Sequence, residues 1–242
     1  MIQKQGLYKK SAMYYDLIYS WKNYKKEANT IRVLINKYNK SGGRDLLEIA
    51  CGTGKHTEYL KKHYRIIAIN LHPEMLQIAR KRAKNVTYKQ ADMTKLSINK
   101  KFDAIICLFS SIGYVKTYTN LKKTLRGFSQ HLKQGGVVII EPWIKPADYH
   151  IGTPMMNTYS DKDIKIARLS VSRKKNGNIS HWLMHYLVAE KNKGVTYIQD
   201  LHELGMFEKN AFLKIMKDCG FKAQFTKTSL MKGRGLYVGV KI

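Results

Sequence analysis

Between residues 24 and 40, apolar side chains recur with helical spacing: Ala28, Ile31, Leu34 and Ile35 fall on one face. The pattern predicts an amphipathic helix, and Ser41-Gly42-Gly43 supplies its stop signal. Short apolar runs then alternate with helical stretches. Asp45–Ala50, Arg65–Asn70, Val86–Gln90, Phe102–Leu108 and Gly136–Glu141 read as strands. Gly54–His63, Pro73–Lys84 and Asn120–His131 read as helices. Such alternation predicts an α/β fold with a doubly wound, mostly parallel sheet.

After Pro142 the period changes. Alternating segments at Ile164–Arg173, Ile179–Ala189 and Val195–Leu204 are separated by Asn176-Gly177-Asn178 and Lys193-Gly194, which predicts hairpins. This stretch reads as an antiparallel insertion over the carboxyl edge of the sheet. A helix at Glu208–Cys219, stopped by Gly220, and strands at Phe221–Thr228 and Gly235–Ile242 then complete the core. The expected division is a core at 1–145 with an N-terminal helical lid, an insertion at 146–206 that roofs a substrate or meets a second copy, and a completing segment at 207–242.

Composition narrows the class. A chain of 242 residues that is 44% hydrophobic buries one large core. No apolar run reaches membrane-spanning length, and Met1 to Gly6 lacks the apolar centre of a signal peptide. The expectation is therefore no membrane association. Cys51, Cys107 and Cys219 are far apart and form no C-x-x-C pair, which fits a reducing cytoplasm and argues against a disulfide or zinc scaffold. His181 and His185 share one face of an expected strand, but no acidic or cysteine residue stands beside them in sequence, so no metal site is expected.

The net charge of +27 is the compositional anomaly. Basic clusters recur at Lys25-Lys26, Lys61-Lys62, Lys122-Lys123 and Arg173-Lys174-Lys175. Phosphate neutralisation on nucleic acid and attraction of an anionic small molecule both need such charge. The clusters are spread along the chain at surface spacing, with no basic tail. That distribution favours solvated faces, then an anionic small ligand, over a nucleic-acid footprint.

The chemistry-bearing segment is Leu46-Leu47-Glu48-Ile49-Ala50-Cys51-Gly52-Thr53-Gly54. A strand runs into a tight turn whose two glycines admit backbone conformations closed to other residues. Alone, a Gly-x-Gly turn also fits an ordinary strand–helix connection. The acidic residue ahead of it gives the form E-x-x-x-G-x-G, which resembles the class I S-adenosylmethionine (SAM) methyltransferases. The resemblance implies a Rossmann-like seven-stranded sheet, with Glu48 and the Ala50 carbonyl receiving the ammonium of SAM above Gly52 and Gly54. In that family an acidic residue ends the second strand and accepts the ribose hydroxyls; Asn70 stands here, followed by Leu71, and an amide accepts one hydroxyl and donates to the other. Met75 either lies beneath the adenine or packs as helix core. Alone, an Asp at a strand end is more often a turn or helix cap; at this spacing Asp92, with Met93 alongside, is favoured as the acceptor from the adenine amino group. Leu108 opens the segment where the transferred methyl belongs.

Further stretches sharpen the resemblance: Tyr15-Asp16-Leu17, Pro73-Glu74-Met75-Leu76, Phe109-Ser110-Ser111-Ile112-Gly113-Tyr114, Glu141-Pro142-Trp143, His185-Tyr186-Leu187 and Gly233-Arg234-Gly235-Leu236. Together they resemble the N,N-dimethyltransferases of nucleotide-linked 3-amino-deoxy sugars. This implies that Tyr15 and Tyr19 close over SAM and sugar, that Tyr114 faces the amine, and that Arg234 meets the nucleotide phosphates. Ser110, Ser111, Glu141 and Trp143 join the substrate side; Trp143 either walls the pocket or packs beneath the insertion. Tyr19 and Tyr114 are the catalytic candidates, and a homodimer is expected because such relatives are often dimeric. The alternatives are O-methylation of a small molecule, a nucleic-acid methyltransferase suggested by charge, and a non-catalytic SAM-binding fold suggested by Asn70. The second lacks an Asn/Asp-Pro-Pro-aromatic tetrad where Phe109-Ser110-Ser111-Ile112 stands.

Overall fold

The computed structural model describes residues 3–4, 12–175 and 177–242. Two sheets organise the molecule. The seven-stranded sheet comprises β2 (Asp45–Ile49), β3 (Arg65–Asn70), β4 (Thr87–Gln90), β5 (Phe102–Cys107), β6 (Leu132–Ile140), β11 (Phe221–Thr226) and β12 (Leu236–Lys241), in the order β11-β12-β6-β5-β2-β3-β4. Strands β2 to β6 pair in parallel; β12 runs antiparallel to β6 and to β11. The expected doubly wound, mostly parallel sheet is present. Its order reverses between β2 and β5, so a crevice opens at their carboxyl ends.

Helices cover both faces. Leu47 and Ile49 of β2 meet Leu121, Leu125 and Phe128 of α5 (Tyr118–His131) and Phe212 of α6 (Lys209–Asp218) in one core. Leu46 of β2 meets Ala28, Ile31, Leu34 and Ile35 of α2 (Tyr24–Tyr38), Leu60 of α3 (Lys55–Leu60) and Leu76 of α4 (Pro73–Arg82) in the other. All five residues of β2 are buried, as a central parallel strand requires. At the amino edge Asp103 ties three segments together, accepting from Asp45 N at 2.8 Å, Ser41 Oγ at 2.7 Å and Lys133 Nζ at 2.9 Å.

The second sheet is antiparallel: β7 (Pro154–Ser160), β8 (Ile164–Lys175), β9 (Ile179–Glu190) and β10 (Gly194–Gly205), with β1 (Gln3–Lys4) parallel to β10. Strand β7 escaped the sequence pattern because it lies at the sheet edge and its residues are mostly exposed. Helix α1 (Ala12–Ile18) buries Ile18 against Ile164, Ile166, Met184, Tyr186 and Val188 on the inner face of this sheet. One end of β10 presses on the turn after β5: a Cβ on Gly205 would lie 2.6 Å from the Lys116 carbonyl oxygen, and one on Gly113 would lie 2.9 Å from Leu204 Cβ. Glu203 of β10 fixes the joint through Lys116 at 2.7 Å and Lys175 at 2.5 Å.

Lys116 and Lys175 hold the Glu203 carboxyl down at about 2 from an ordinary 4.5. A folded-state value below the unfolded one means that the contribution to stability is complete above the unfolded value and lost as pH falls through the folded one. Glu203→Gln is therefore expected to lower the melting temperature above about pH 5, with the difference from wild type closing as pH falls toward about 2. Parallel melting-temperature profiles of the two proteins would show that this ion pair does not secure the joint.

Candidate functional site

The carboxyl ends of β2 to β5 surround a cavity of about 370 Å³, within the size range of small-molecule sites. Each strand delivers part of its wall. Glu48 and Ala50 come from the end of β2, Asn70 and Leu71 from the end of β3, and Met75 from the first turn of α4. Asp92 and Met93 follow β4; Leu108, Ser111 and Tyr114 follow β5; Tyr15 descends from α1. Eleven of the residues singled out from sequence thus converge on one cavity. Tyr24, which the resemblance places near Tyr19, is there too, and Lys55, His56 and Phe109 join them without having been assigned to the site.

The backbone is bent hardest at this edge. Ala50, Phe109, Ser110 and Lys116 hold positive φ values of 54°, 49°, 62° and 64°. For residues with a Cβ this is an unfavourable conformation that surrounding structure must impose, and such residues cluster at functional sites. Gly52 and Gly54 have φ of 57° and 77° and form the turn itself, without belonging to the cavity wall. A Cβ on Gly54 would sit 3.0 Å from Ala79 Cβ, so glycine lets α4 approach the turn closely.

The polar groups already have partners. Glu48 accepts from Thr57 Oγ1 at 2.6 Å, and burial pushes its carboxyl above the usual range. The Asn70 amide bridges two loops, accepting from Gly52 N at 3.3 Å and donating to the His72 carbonyl at 3.3 Å. Asp92 caps the turn Met93–Lys95 through one oxygen, which accepts from Thr94 N and Thr94 Oγ1, both at 2.8 Å. Met75 is both buried and on the cavity wall, so its two sequence readings are compatible. His56, unassigned from sequence, lies 2.7 Å from Glu27, and Glu27 accepts from Lys22 at 2.7 Å; this buried hydrogen-bonded chain flanks the cavity beside Tyr24.

A latch holds α1 over the cavity. Asp16 accepts from Thr53 Oγ1 at 2.6 Å and from Arg82 Nη2 at 2.6 Å, while Arg82 Nη1 donates to the Thr53 carbonyl at 2.5 Å. Helix α1, the glycine turn and α4 are thereby tied together.

The remaining sequence-assigned residues form an adjoining cluster outside the cavity wall. Arg234 donates from Nη1 to Ser110 Oγ at 2.5 Å and lies 4.7 Å from the centre of the Trp143 ring. Glu141 accepts from Phe109 N at 2.7 Å; burial raises its carboxyl against the lowering influence of Arg234 and Lys22. Trp143 donates to Ser180 Oγ at 2.9 Å, which places it against β9. Tyr19 packs edge-on against Phe109 with centroids 5.0 Å apart. Arg168 of β8, which the sequence did not single out, donates to Tyr19 Oη at 2.8 Å and to Asn157 Oδ1 at 2.5 Å. The acidic partner that the sequence did not provide for His181 is Glu203, 3.6 Å away across the strand pair. Among the described residues no cluster of metal-ligand type is present, and no helix is long and apolar enough to cross a membrane.

Comparison with known proteins gives this arrangement its context. A methyltransferase domain family matches residues 46–136. The chain is 34% identical over 93% of its length, and 95% of the relative's, to the dTDP-3-amino-3,4,6-trideoxy-alpha-D-glucopyranose N,N-dimethyltransferase of Streptomyces venezuelae. It is 30% identical over 93% of its length, and 89% of the relative's, to the dTDP-3-amino-3,6-dideoxy-alpha-D-glucopyranose N,N-dimethyltransferase of Streptomyces fradiae. The crystal structure of Streptomyces venezuelae DesVI superposes with a TM-score of 0.88 at 33% identity, covering 94% of this chain and 97% of that one. SAM-bound CalS10, an amino pentose methyltransferase of Micromonospora echinaspora, superposes at 0.82 with 26% identity over 91% of this chain and 92% of that one. The cavity is large enough for an adenosyl group, and the Glu48 carboxyl and Asn70 amide on its wall are groups able to accept from ammonium and hydroxyl donors. This chain is a SAM-dependent methyltransferase and belongs to the family of the nucleotide-linked amino-sugar N,N-dimethyltransferases.

Proposed function

We propose that the enzyme methylates the amino group of a nucleotide-linked amino sugar. The observation that carries this reading is a pair of guanidiniums beside Tyr19. Arg168 is buried and Arg234 half-buried, and neither forms an ion pair among the described residues. Arg168 donates to the neutral groups of Tyr19 and Asn157, and Arg234 feels the Glu141 carboxyl without a direct ion pair to it; guanidiniums so placed favour an anionic ligand, and a diphosphate matches their planar fork. The names of the relatives at 30–34% identity specify dTDP-linked amino sugars, in agreement with that charge.

When bound, SAM supplies an electrophilic methyl group on a sulfonium. The protein's part is then orientation and a pocket that holds the acceptor amine neutral. Glu48 and the Ala50 carbonyl take the ammonium end of the cofactor; a cation there also relieves the burial penalty on Glu48. Gly52 and Gly54 keep the approach clear of side chains. Asn70 serves the ribose hydroxyls through the donor and acceptor capacity left after its two loop contacts. The second oxygen of Asp92, with Met93 and Leu71, serves the adenine, while Met75, Leu108 and Tyr15 enclose it. On the acceptor side Tyr114 faces the amine and Tyr19 closes the pocket. Ser110, Ser111, Glu141 and Trp143 shape the sugar-nucleotide channel, and Arg234 with Arg168 takes the diphosphate.

The outer face of the antiparallel sheet is apolar: Met156, Leu169, Val171, Leu187, Val195 and Tyr197 are all exposed. A face of this character fits a second copy of the chain, and we assign the homodimer to it. Sedimentation at micromolar concentration is expected to give twice the chain mass; a single-chain mass would remove the assignment. Three buried free thiols, Cys51, Cys107 and Cys219, support residence in the reducing cytoplasm.

Incubated with SAM and thymidine- or uridine-diphosphate amino sugars, the enzyme is expected to add one or two methyl groups to the amine, read by mass spectrometry. Arg234→Ala is expected to raise KM for the nucleotide sugar at least about tenfold while SAM affinity stays within about twofold. Methylation of RNA alone, or of the hydroxy-sugar analogue in preference to the amine, would contradict the reading.

A further inference from the structure

Tyr114 does not stand alone. Its hydroxyl lies 2.7 Å from Nδ1 of His202, and Nε2 of the same ring lies 2.6 Å from Oδ2 of Asp200. Tyr114 belongs to the turn after β5, whereas the other two come from β10, on the inward side of that strand. Asp200 is fully buried and His202 is 5% exposed. The second Asp200 oxygen, Oδ1, has no hydrogen-bond partner among the described residues. A buried carboxylate, an imidazole and a phenol thus run in line from the interior to the wall of the cavity, where Tyr114 sits.

Resting on the amine-methylation reading above, we propose that Asp200 and His202 form a proton relay that works through Tyr114 to deprotonate the acceptor ammonium. The carboxylate of Asp200 accepts from Nε2–H, which leaves Nδ1 as the acceptor facing the phenol. Tyr114 then donates its O–H to Nδ1 and accepts through the same oxygen from the substrate ammonium. As the ammonium N–H bond breaks, its proton passes to the phenol oxygen, and the phenol's own proton passes to Nδ1. The lone pair left on nitrogen forms the new N–C bond, and the C–S electron pair leaves with sulfur. Asp200 stabilises the imidazolium, which returns its proton through Tyr114 to water when product leaves. The methylated product amine acquires charge in the transfer, so a second methylation needs the same relay again. Tyr114 is the catalytic residue in this scheme; His202 and Asp200 position and charge it, in the manner of an orienting carboxylate behind an imidazole base.

The local geometry secures the contact. Gly113 packs so tightly on Leu204 that the turn carrying Tyr114 is held against β10. The Lys116–Glu203 ion pair closes the same joint from the other side of the strand. The other ionisable groups facing the relay are Tyr15 from α1, next to Tyr114, and Tyr186 from β9, next to Asp200, with Arg168 of β8 beside Tyr186. Asp200 is the carboxylate hydrogen-bonded to the ring.

Two readouts test the relay. In the free enzyme, imidazole nitrogen resonances assigned with His202→Gln are expected to report the Nε2–H tautomer, and Asp200→Asn is expected to abolish that preference. An Nδ1–H tautomer in wild type would overturn the proposal without any assay of turnover. In turnover, Tyr114→Phe, His202→Gln and Asp200→Asn are each expected to lower kcat at pH 7 by about 100-fold and to recover toward wild type above about pH 9, where the amine deprotonates in water. Their SAM affinity and cooperative unfolding are expected to stay near wild type. A uniform loss across pH assigns these residues to packing and overturns the relay, as does unchanged turnover in Tyr114→Phe, the most conservative of the three. Failure of wild type to methylate any amino sugar overturns the functional reading, while the tautomer measurement still decides the relay geometry.

Discussion

A parallel sheet covered by helices on both faces leaves one place for chemistry, the carboxyl ends of its strands. Everything distinctive about this enzyme follows from how the chain turns there. Strand β2 is buried at every position, so it cannot offer a side chain to solvent until it ends. At its end the chain reverses through Ala50, Gly52 and Gly54, all at positive φ, and exposes backbone where other turns would place side chains. The same requirement recurs after β5 at Phe109 and Ser110. Strain at these residues is tolerated because α4 and β10 press on the turns from outside, as the close approaches at Gly54 and Gly113 record.

Helix α1 and the antiparallel sheet are secured by charge at a few points. Asp16 links α1 to Thr53 and Arg82, so the helix is anchored to the glycine turn and to α4. Glu203 anchors the antiparallel sheet to the turn carrying Tyr114. Between these anchors lie groups that the fold leaves electrostatically unfinished. Glu48 and Glu141 are raised by burial, and Arg168 and Arg234 form no ion pair among the described residues. In the proposed reading a SAM ammonium would complete the first of these groups and a diphosphate the guanidiniums, which makes one half of the site a cationic-cofactor pocket and the other an anionic-substrate channel.

Much of the cavity was legible in sequence because its residues lie within a few positions of strand ends, where local pattern is informative. The face of α2, the turn Cys51-Gly52-Thr53-Gly54 and the segment from Leu108 to Tyr114 need no tertiary information to be noticed. Other parts were hidden for physical reasons. Helix α1 spans only seven residues, about two turns, so the expected N-terminal helix had no bounds in sequence; it is stabilised by packing on the second sheet. Asp92, favoured in sequence as a cofactor contact, also serves as the turn cap that a lone Asp at a strand end suggests, and it does so through one oxygen. Asp200, His202 and Arg168 acquire meaning only through the register of the antiparallel sheet, far in sequence from the tyrosines they touch. Glu203 likewise reaches His181 across a strand pair that no local pattern specifies.

The central claim is that the cavity and the guanidinium cluster are two halves of one site, joined at Tyr114. A crystal structure with S-adenosylhomocysteine and a thymidine-diphosphate amino sugar tests it directly. The account predicts the amine nitrogen within hydrogen-bond reach of the Tyr114 hydroxyl and the diphosphate on Arg234 and Arg168. A diphosphate bound elsewhere, with Arg234 still on Ser110 and the amine remote from Tyr114, would contradict it.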